Sequence, residues 1–314
     1  MKIALITGAF GQDGYFLTKH LLETGDYYII CTANAIGEKL NPVYINKNIT
    51  LEKLDIGDKN DINHCIKKYK PDELYHLAAF AAPILSWQDP ENVISINGLS
   101  AAVFLEAIHL FSLKTKVFFP SSGKIFGQPI ITPQNENTPV NPLDPYSLGK
   151  YLAHQIVKIY RKKYNIFACN GILYNHESHL KGTNFVTSKI CYNSVLLKQK
   201  KITSFSLLNF DSEIDLGDPR DYVDAMHLIL QQPNPDDYII AMNKSVSIKE
   251  ICLLVGEILE INDILSFIKV EKKNINLSKN KFRGDNTKLK SIGWSPKYTL
   301  KDTLKMILCG DSNF

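Results

Sequence analysis

The first twenty-five residues constrain this chain more than any other stretch. Lys2-Ile-Ala-Leu-Ile-Thr7 is a short apolar run that reads as a buried strand. It leads straight into Thr7-Gly8-Ala-Phe-Gly11-Gln-Asp-Gly14, and Tyr15–Thr24 then repeats with a helical period and stops at Gly25. A strand, a glycine turn and a helix in that order open a parallel α/β sheet whose first turn can receive a dinucleotide. Gly8 permits the tight turn, Gly11 lets the backbone approach a pyrophosphate, and Gly14 lets the helix pack closely on the sheet. The helix start then offers free N–H groups and a positive dipole end to the phosphates. Phe10, Gln12 and Asp13 complete the candidate cofactor turn. A glycine-rich turn alone is weak evidence, so the rest of the chain has to agree.

It does. Apolar strand patterns at Tyr27–Thr32, Ile49–Asp55, Glu73–Ala79 and Val117–Ser121 alternate with helical patterns at Asp61–Tyr69 and Gly98–Leu110. Such alternation means a parallel sheet with right-handed crossovers. A breaker-rich stretch, Thr138–Pro145, precedes a long helical pattern, Tyr146–Tyr164. Beyond residue 165 the order loosens. Phe167–Leu173 and Phe205–Leu208 read as strands, Asn175–Thr187 as an irregular binding loop, and Ser247–Glu260 and Lys301–Leu308 as helices. The fold expected is α/β: a Rossmann-type doubly wound parallel sheet with a smaller α+β substrate lobe. Residues 1–165 and a returning segment near 210–242 would form the first, and 166–209 with 243–314 the second.

The 314 residues suffice for that core, and 45% hydrophobic with 22% charged residues is ordinary for a soluble protein. A net charge of +4, with scattered lysines, argues against a nucleic-acid surface, and Lys272–Lys281 reads as solvated. The apolar stretches read as shorter than a bilayer span, and a strand at the N-terminus leaves no room for a signal peptide. No membrane partner and a cytoplasmic setting are therefore expected. Cys31, Cys65, Cys169, Cys191, Cys252 and Cys309 are far apart with no CxxC pair, which reads as free thiols rather than a zinc site.

The end of the second strand chooses the cofactor. An acidic group there would hold ribose hydroxyls, and an arginine would hold a 2′-phosphate. Thr32-Ala33-Asn34 offers neither. With no cation for a phosphate dianion, NAD is expected over NADP, and Asn34 can hydrogen-bond a ribose hydroxyl. Asp55 and Ile56 are placed for the adenine edge, and Leu77, Ala78 and Ala79 let a cofactor lie against the backbone. His76 reads as a satisfied buried histidine.

Tyr146-Ser-Leu-Gly-Lys150 puts a tyrosine and a lysine on one helix face, one turn apart. A free phenol has a pKa near ~10 and is a poor base at neutral pH. A neighbouring ammonium favours the phenolate. With Ser122 to orient a hydroxyl, the three side chains can take a proton from a carbinol while a nicotinamide takes the hydride.

Together these residues identify the chain as similar to the extended short-chain dehydrogenase/reductase family and, within it, to GDP-mannose 4,6-dehydratases. The resemblance rests on Thr7–Gly14 and on the run from Ala168 through Asn175-His176-Glu177-Ser178. It continues in Phe185-Val186-Thr187 with Lys189, in Asn209-x-Asp211, in Asp215-x-Gly217 and in Asp221-Tyr-Val223. It implies a GDP-sugar substrate held by Ser86, Asn175, Val186, Lys189 and Asn209, and a homodimer. There are also departures. Where the family carries Thr-Ser-Glu, this chain has Ser122-Gly123-Lys124, so the carboxylate that moves the C5 proton is replaced by an ammonium. The family's paired NADP arginines are missing at Ala33-Asn34. Its pyrophosphate arginine is Ile214, which Arg220 or Arg283 could replace.

The resemblance thus implies an NAD-dependent oxidation at C4 of a GDP-sugar, GDP-mannose or GDP-manno-heptose, without elimination. The setting implied is bacterial surface polysaccharide, or capsule, synthesis. The alternatives are a GDP-sugar epimerase using Lys124, a residual 4,6-dehydratase, and a catalytically dead nucleotide-binding module.

Overall fold

The computed structural model describes residues 1–37, 41–81, 83–271 and 282–310. Its first half repeats strand and helix: β1 (Lys2–Thr7), α1 (Gln12–Thr24), β2 (Tyr27–Ala33), β3 (Ile49–Lys53), α2 (Lys59–Tyr69) and β4 (Glu73–His76). Next come α3 (Pro90–Ile94), a π-helical turn (Ser95–Leu99), α4 (Ser100–Phe111), β5 (Lys116–Ser122), α5 (Pro145–Tyr164) and β6 (Ala168–Leu173). The second half holds β7 (Asn175–His176), α6 (Val186–Lys198), β8 (Phe205–Leu207), β9 (Glu213–Gly217), α7 (Pro219–Leu230) and β10 (Asp237–Ile240). It ends with β11 (Ser245–Ser247), α8 (Ile248–Leu259), β12 (Ile268–Val270), α9 (Thr287–Ser291) and α10 (Leu300–Cys309).

Seven strands form one parallel sheet in the order β3-β2-β1-β4-β5-β6-β10. Strand alternation explains how both faces are covered. Ala4 and Ile6 of β1 enter a core with α1 and α7, while Leu5 enters another with α2, α4 and α5. This is the expected doubly wound Rossmann arrangement. The smaller lobe has its own core, built from Ile190, Leu216, Ile251, Val255, Ile264 and Leu304. Two small sheets, β11-β9-β7 and β12-β8, belong to it. Both chain order and sheet order leave the cleft at the carboxyl ends of the large-sheet strands, where such folds bind ligands.

Three expectations need correction. Ala168–Leu173, expected in the substrate lobe, lies between β5 and β10 of the large sheet. All six of its residues are buried, so it needs cover on both faces. The returning segment starts at α7, because β9 pairs with β7 and β11 in the small lobe. Finally, α3, the π turn and α4 run on as one helix, Pro90–Phe111, whose 22 residues, with a mean hydropathy of 1.6 over an 18-residue stretch, are long and apolar enough to cross a membrane. Half of its apolar window is buried inside the protein, against the sheet and α5. The lysine-rich stretch at 272–281 lies outside the described residues.

Candidate active site

The glycine turn has the shape its sequence implies. Gly8 has φ +65°, and a Cβ there would sit 2.7 Å from the Ala78 backbone. A Cβ on Gly14 would meet Ala9 at 2.5 Å, so the start of α1 presses directly on the turn. Gly11 is different: its Cβ would meet only the Gly8 carbonyl, at 3.3 Å, and its outer side is open. Gly11 is also the N-cap of α1, with no side chain capping it. Uncapped N–H groups at an open glycine are what a pyrophosphate requires. Phe10 is wedged edge-on against Tyr44, 4.7 Å between centroids, and Tyr44 donates to the Ala9 carbonyl at 2.6 Å.

A chain of hydrogen bonds under the turn fixes one histidine tautomer. Ser100 donates to the Ile96 carbonyl at 2.6 Å, so it must accept from His76 Nε2 at 3.0 Å. His76 Nδ1 then accepts from Thr7 Oγ1 at 3.0 Å, and Thr7 accepts from the Ala78 N–H at 3.1 Å. Burial, with help from the Lys150 charge, pushes His76 down to about 3. It is a neutral structural histidine, as its sequence position implied. Leu77, Ala78 and Ala79 follow it half-buried at the sheet edge.

On the adenosine side, Asn34 and Asp55 are exposed just past β2 and β3, and Ile56 is half-buried. Asp55 Oδ1 is taken by the Gly57 N–H at 2.8 Å. Among the described residues, Thr32-Ala33-Asn34 leads into Ala35, Ile36 and Gly37 with no cation.

The candidate catalytic side chains come from β5 and α5. Ser122 ends β5, and Tyr146 and Lys150 lie one turn apart near the start of α5. Asp144 caps that helix, accepting from Ser147 N at 2.7 Å in a capping box, with Pro145 at its first position. Gly149 lets α5 approach the π turn closely: a Cβ there would sit 3.0 Å from Asn97 Cβ. Burial pushes the Tyr146 phenol above its ordinary value. A hydrogen bond to Ser122 pulls it back, and the Asp144 and Asp13 carboxylates push it further up. Burial also lowers the Lys150 ammonium to about 8, opposed by Asp13. Lys150 Nζ donates to the Pro120 carbonyl at 3.0 Å. The trio can therefore orient a hydroxyl and accept its proton, but the phenol needs cationic help to ionise.

Lys124 stands two residues past Ser122, on the cleft wall. Its Nζ lies 4.8 Å over the Phe282 ring. The side chain reaches solvent yet is hemmed in by protein, which lowers its pKa, and Asp144 opposes the shift.

The small lobe is clasped to the cofactor turn. Gln12 Nε2 donates to the His176 carbonyl at 3.1 Å, and Ser178 donates to Gln12 Oε1 at 2.9 Å. His176 Nε2 meets Asp13 Oδ1 at 2.9 Å, and its Nδ1 meets the Tyr174 carbonyl at 2.8 Å. Both ring nitrogens face acceptors, which fixes the ring between the Tyr174 carbonyl and the Asp13 carboxylate. Burial opposes ionisation of Asp13, yet His176, Lys181 and Gln12 together hold it well below the carboxylate range. Glu177 is buried beside these residues, and that burial pushes its carboxyl above its ordinary value, with Lys181 opposing. The sequence assigned Gln12 and Asp13 to the cofactor, but their side chains are spent on His176 and Ser178.

Three other candidates are also differently employed. Ser86 is 1% exposed and donates to the Pro83 carbonyl at 2.6 Å, so it is not presented to the cleft. Arg220 binds Asp218 through two nitrogens at 2.8 Å and stacks 3.5 Å from the Tyr298 ring centroid, so its guanidinium is already engaged and is not offered to a pyrophosphate. Asn209 spends its side-chain oxygen on the Asp211 and Ser212 N–H groups, both at 2.8 Å. Asn175 and Lys189 are exposed on the small lobe, and Val186 is half-buried at the start of α6. Arg283 is partly buried, with no partner for its Nε.

A family model described as GDP-mannose 4,6 dehydratase matches residues 5–307. The chain belongs to the GDP-mannose 4,6-dehydratase family. Within that family, a protein named GDP-mannose 4,6 dehydratase 1 from Arabidopsis thaliana is 35% identical over 325 residues, covering 99% of this chain and 90% of the relative. A GDP-mannose 4,6-dehydratase from Yersinia enterocolitica is 30% identical, covering 99% and 94%. The fold is shared more widely. A UDP-glucose 4-epimerase from Thermotoga maritima, solved with UDP-glucose, superposes with TM-score 0.83 at 21% identity over 98% of this chain and 97% of that one. RMD from Pseudomonas aeruginosa, solved with NADPH, gives 0.82 at 20% identity over 98% of both chains.

Proposed function

We propose that this member of the GDP-mannose 4,6-dehydratase family is an NAD-dependent dehydrogenase that oxidises the C4 hydroxyl of a GDP-sugar, GDP-mannose or GDP-manno-heptose, and stops at the 4-keto product. The observation that carries the reading is the pairing of an intact Ser122–Tyr146–Lys150 trio with Lys124 on the same cleft wall. The first supports hydride chemistry. The second replaces the carboxylate that elimination needs.

The open Gly11 and the uncapped start of α1 fit a cofactor pyrophosphate, and the cation-free end of β2 fits NAD. When bound, the oxidised nicotinamide supplies the acceptor for the C4 hydrogen and its two electrons. Ser122 orients the C4 hydroxyl, and Tyr146 takes its proton. Lys150 steadies the phenolate and is placed to reach the nicotinamide ribose. The carbinol becomes a ketone, one proton rests on Tyr146, and nothing leaves C6. Asp144, whose charge acts on both Lys124 and Tyr146, is held as the cap of α5. A second reading, epimerisation, is favoured by one observation: Lys124 sits over Phe282 on the cleft wall, and its crowding lowers its pKa, so that more of it is the neutral amine that can accept a proton.

The test is a product mass. With GDP-mannose or GDP-manno-heptose and NAD, loss of two hydrogens supports oxidation. Loss of one water, or an unchanged mass with altered stereochemistry, replaces the reading with dehydration or epimerisation. In the cell, a 4-keto GDP-sugar of this kind would feed bacterial surface polysaccharide synthesis.

A further inference from the structure

We infer that the Asp13–His176 pair, with Gln12 and Ser178, is a positioning clasp through which an occupied cofactor turn tightens the nucleotide-sugar loop. The inference rests on the reading above, in which residues 8–14 hold NAD and the segment from Asn175 to Lys189 holds the sugar nucleotide.

Among the described residues, the hydrogen bonds set out above between these two segments converge on four side chains. Gln12 and Asp13 stand in the first turn of α1, directly behind the open Gly11. The Gln12 amide is used at both ends, giving to the His176 carbonyl and taking from Ser178. It also donates to Asp13 Oδ1 at 3.1 Å, which locks the two acceptors in one orientation. His176 is fixed on its other sides as well. It stacks on Tyr222, 4.3 Å between centroids at 26°, and Tyr222 reaches the Asn175 carbonyl at 3.4 Å. Ser178 is fully buried, and Glu177, one residue before it, is buried next to Thr187 and Ser188 in the first turn of α6, where Val186 and Lys189 stand. A displacement of the α1 start is thereby passed to the start of α6 through side chains with little freedom to absorb it.

Charge gives the arrangement a reason. A carboxylate in the first turn of a phosphate-receiving helix is a like charge to the ligand, and it is acceptable only when neutralised. The loop answers it, with the His176 ring 2.9 Å from Asp13 Oδ1 and the Lys181 charge also favouring the carboxylate. Binding at the turn then orders Gln12 and Asp13, and through them the loop. A ligand bound second meets a segment whose ordering entropy is already lost, which is positive coupling without a large movement. Coupling of this kind is reciprocal and typically ~5–150-fold in affinity.

The experiment is calorimetric titration of GDP into the protein with and without saturating NAD, and the converse. Wild type is expected to bind GDP at least about 5-fold tighter with NAD present. Asp13→Asn, His176→Ala and the milder Ser178→Ala are each expected to reduce that factor to about 1–2 while both ligands still bind. The Asp13→Asn/His176→Ala double variant is expected to lose no more than either single one. His176→Gln, which keeps a donor toward Asp13, is expected to restore part of the coupling. A purely structural role would lower both affinities and leave their ratio unchanged. That result overturns the inference, as does a wild type that binds both ligands independently. If wild type binds NAD but no GDP, the substrate reading itself is wrong and the clasp has no second ligand to serve.

Discussion

Lys124 Nζ lies 4.8 Å over the Phe282 ring, two residues past Ser122, where the proposed reading would need a carboxylate for elimination. An ammonium in that position cannot accept the C5 proton. Proton transfer by a positioned side chain contributes roughly 10²–10⁴-fold. Water loss from any GDP-sugar is therefore expected to trail hydride transfer by about that factor, with no 4-keto-6-deoxy product in a mass spectrum after one equivalent of reduced cofactor has formed. A product lighter than substrate by one water would falsify this. Lys124→Glu supplies a carboxylate at that position, and water loss is expected to become measurable in that variant.

Tyr146→Phe removes the proton acceptor and nothing else. Hydride transfer, followed as nicotinamide absorbance, is expected to fall by about 10²-fold or more, with an unchanged circular dichroism spectrum. In Lys150→Met the phenol loses its cation, so the rate is expected to fall and its rise with pH to shift upward. Turnover by Tyr146→Phe close to wild type would place the base elsewhere.

Cofactor choice follows from Thr32-Ala33-Asn34. NADP is expected to bind at least about tenfold more weakly than NAD, equivalent to about 1.4 kcal/mol, as read by competition titration. Asn34→Arg is expected to narrow the gap. Tighter binding of NADP by the wild type would show that a cation reaches the 2′-phosphate from another part of the chain.

Acid should weaken the fold through His76. Burial, then the Lys150 charge, holds its pKa at about 3, against ~6.5 in an unfolded chain. Between those values the unfolded state binds a proton that the folded state does not. The stability is present above the unfolded value and is lost as the pH falls, at up to about 1.4 kcal/mol per pH unit. In denaturant titrations at pH 7 and pH 5, His76→Asn is expected to lose less stability than wild type over that interval. An equal loss in both would assign the proton uptake to other groups.

Two apolar stripes await a partner. Leu99, Val103 and Leu110 follow one another at helical spacing along the long helix, and Leu148, Leu152 and Ile159 do so along α5. Leu99, Leu110, Leu148 and Ile159 are 45–59% exposed. A helix apolar beyond its core stripe buries the second face in an assembly. A homodimer is expected by light scattering at micromolar concentration, and Leu148→Asp with Ile159→Asp is expected to yield monomer.

The sheet was legible in the sequence because its signals are local. Strand β1 and the Gly8–Gly14 turn are adjacent, and every strand through β5 is bounded by a helical pattern of adequate length. Strands β9 and β10 were hidden, since five residues with a buried Asp215 or four beside a turn carry no usable period. At the site, placement by local signal was readable: Ser122 ends β5, Tyr146 and Lys150 share one face of α5, and His76 is buried. Partnerships were not. Gln12 and Asp13 look like ligands for a phosphate until residues more than 160 positions away take up their side chains. Ser86, Arg220 and Asn209 look available until Pro83, Asp218 and a tight turn occupy them.

The π turn at Ser95–Leu99 acts on the long helix as a one-residue vernier. A π turn holds one residue more than the α turn it replaces, and each residue is about 100° of rotation. That offset aims Asn97 at Phe80, whose backbone it grips from both sides at 2.8 and 3.1 Å. It sets Gly98 against α5 beside Gly149, and Ser100 under His76. Deleting one residue there would shorten the helix by only about 1.5 Å. It would also rotate everything before it by a quarter turn, so this short stretch should tolerate substitution far better than any change of length.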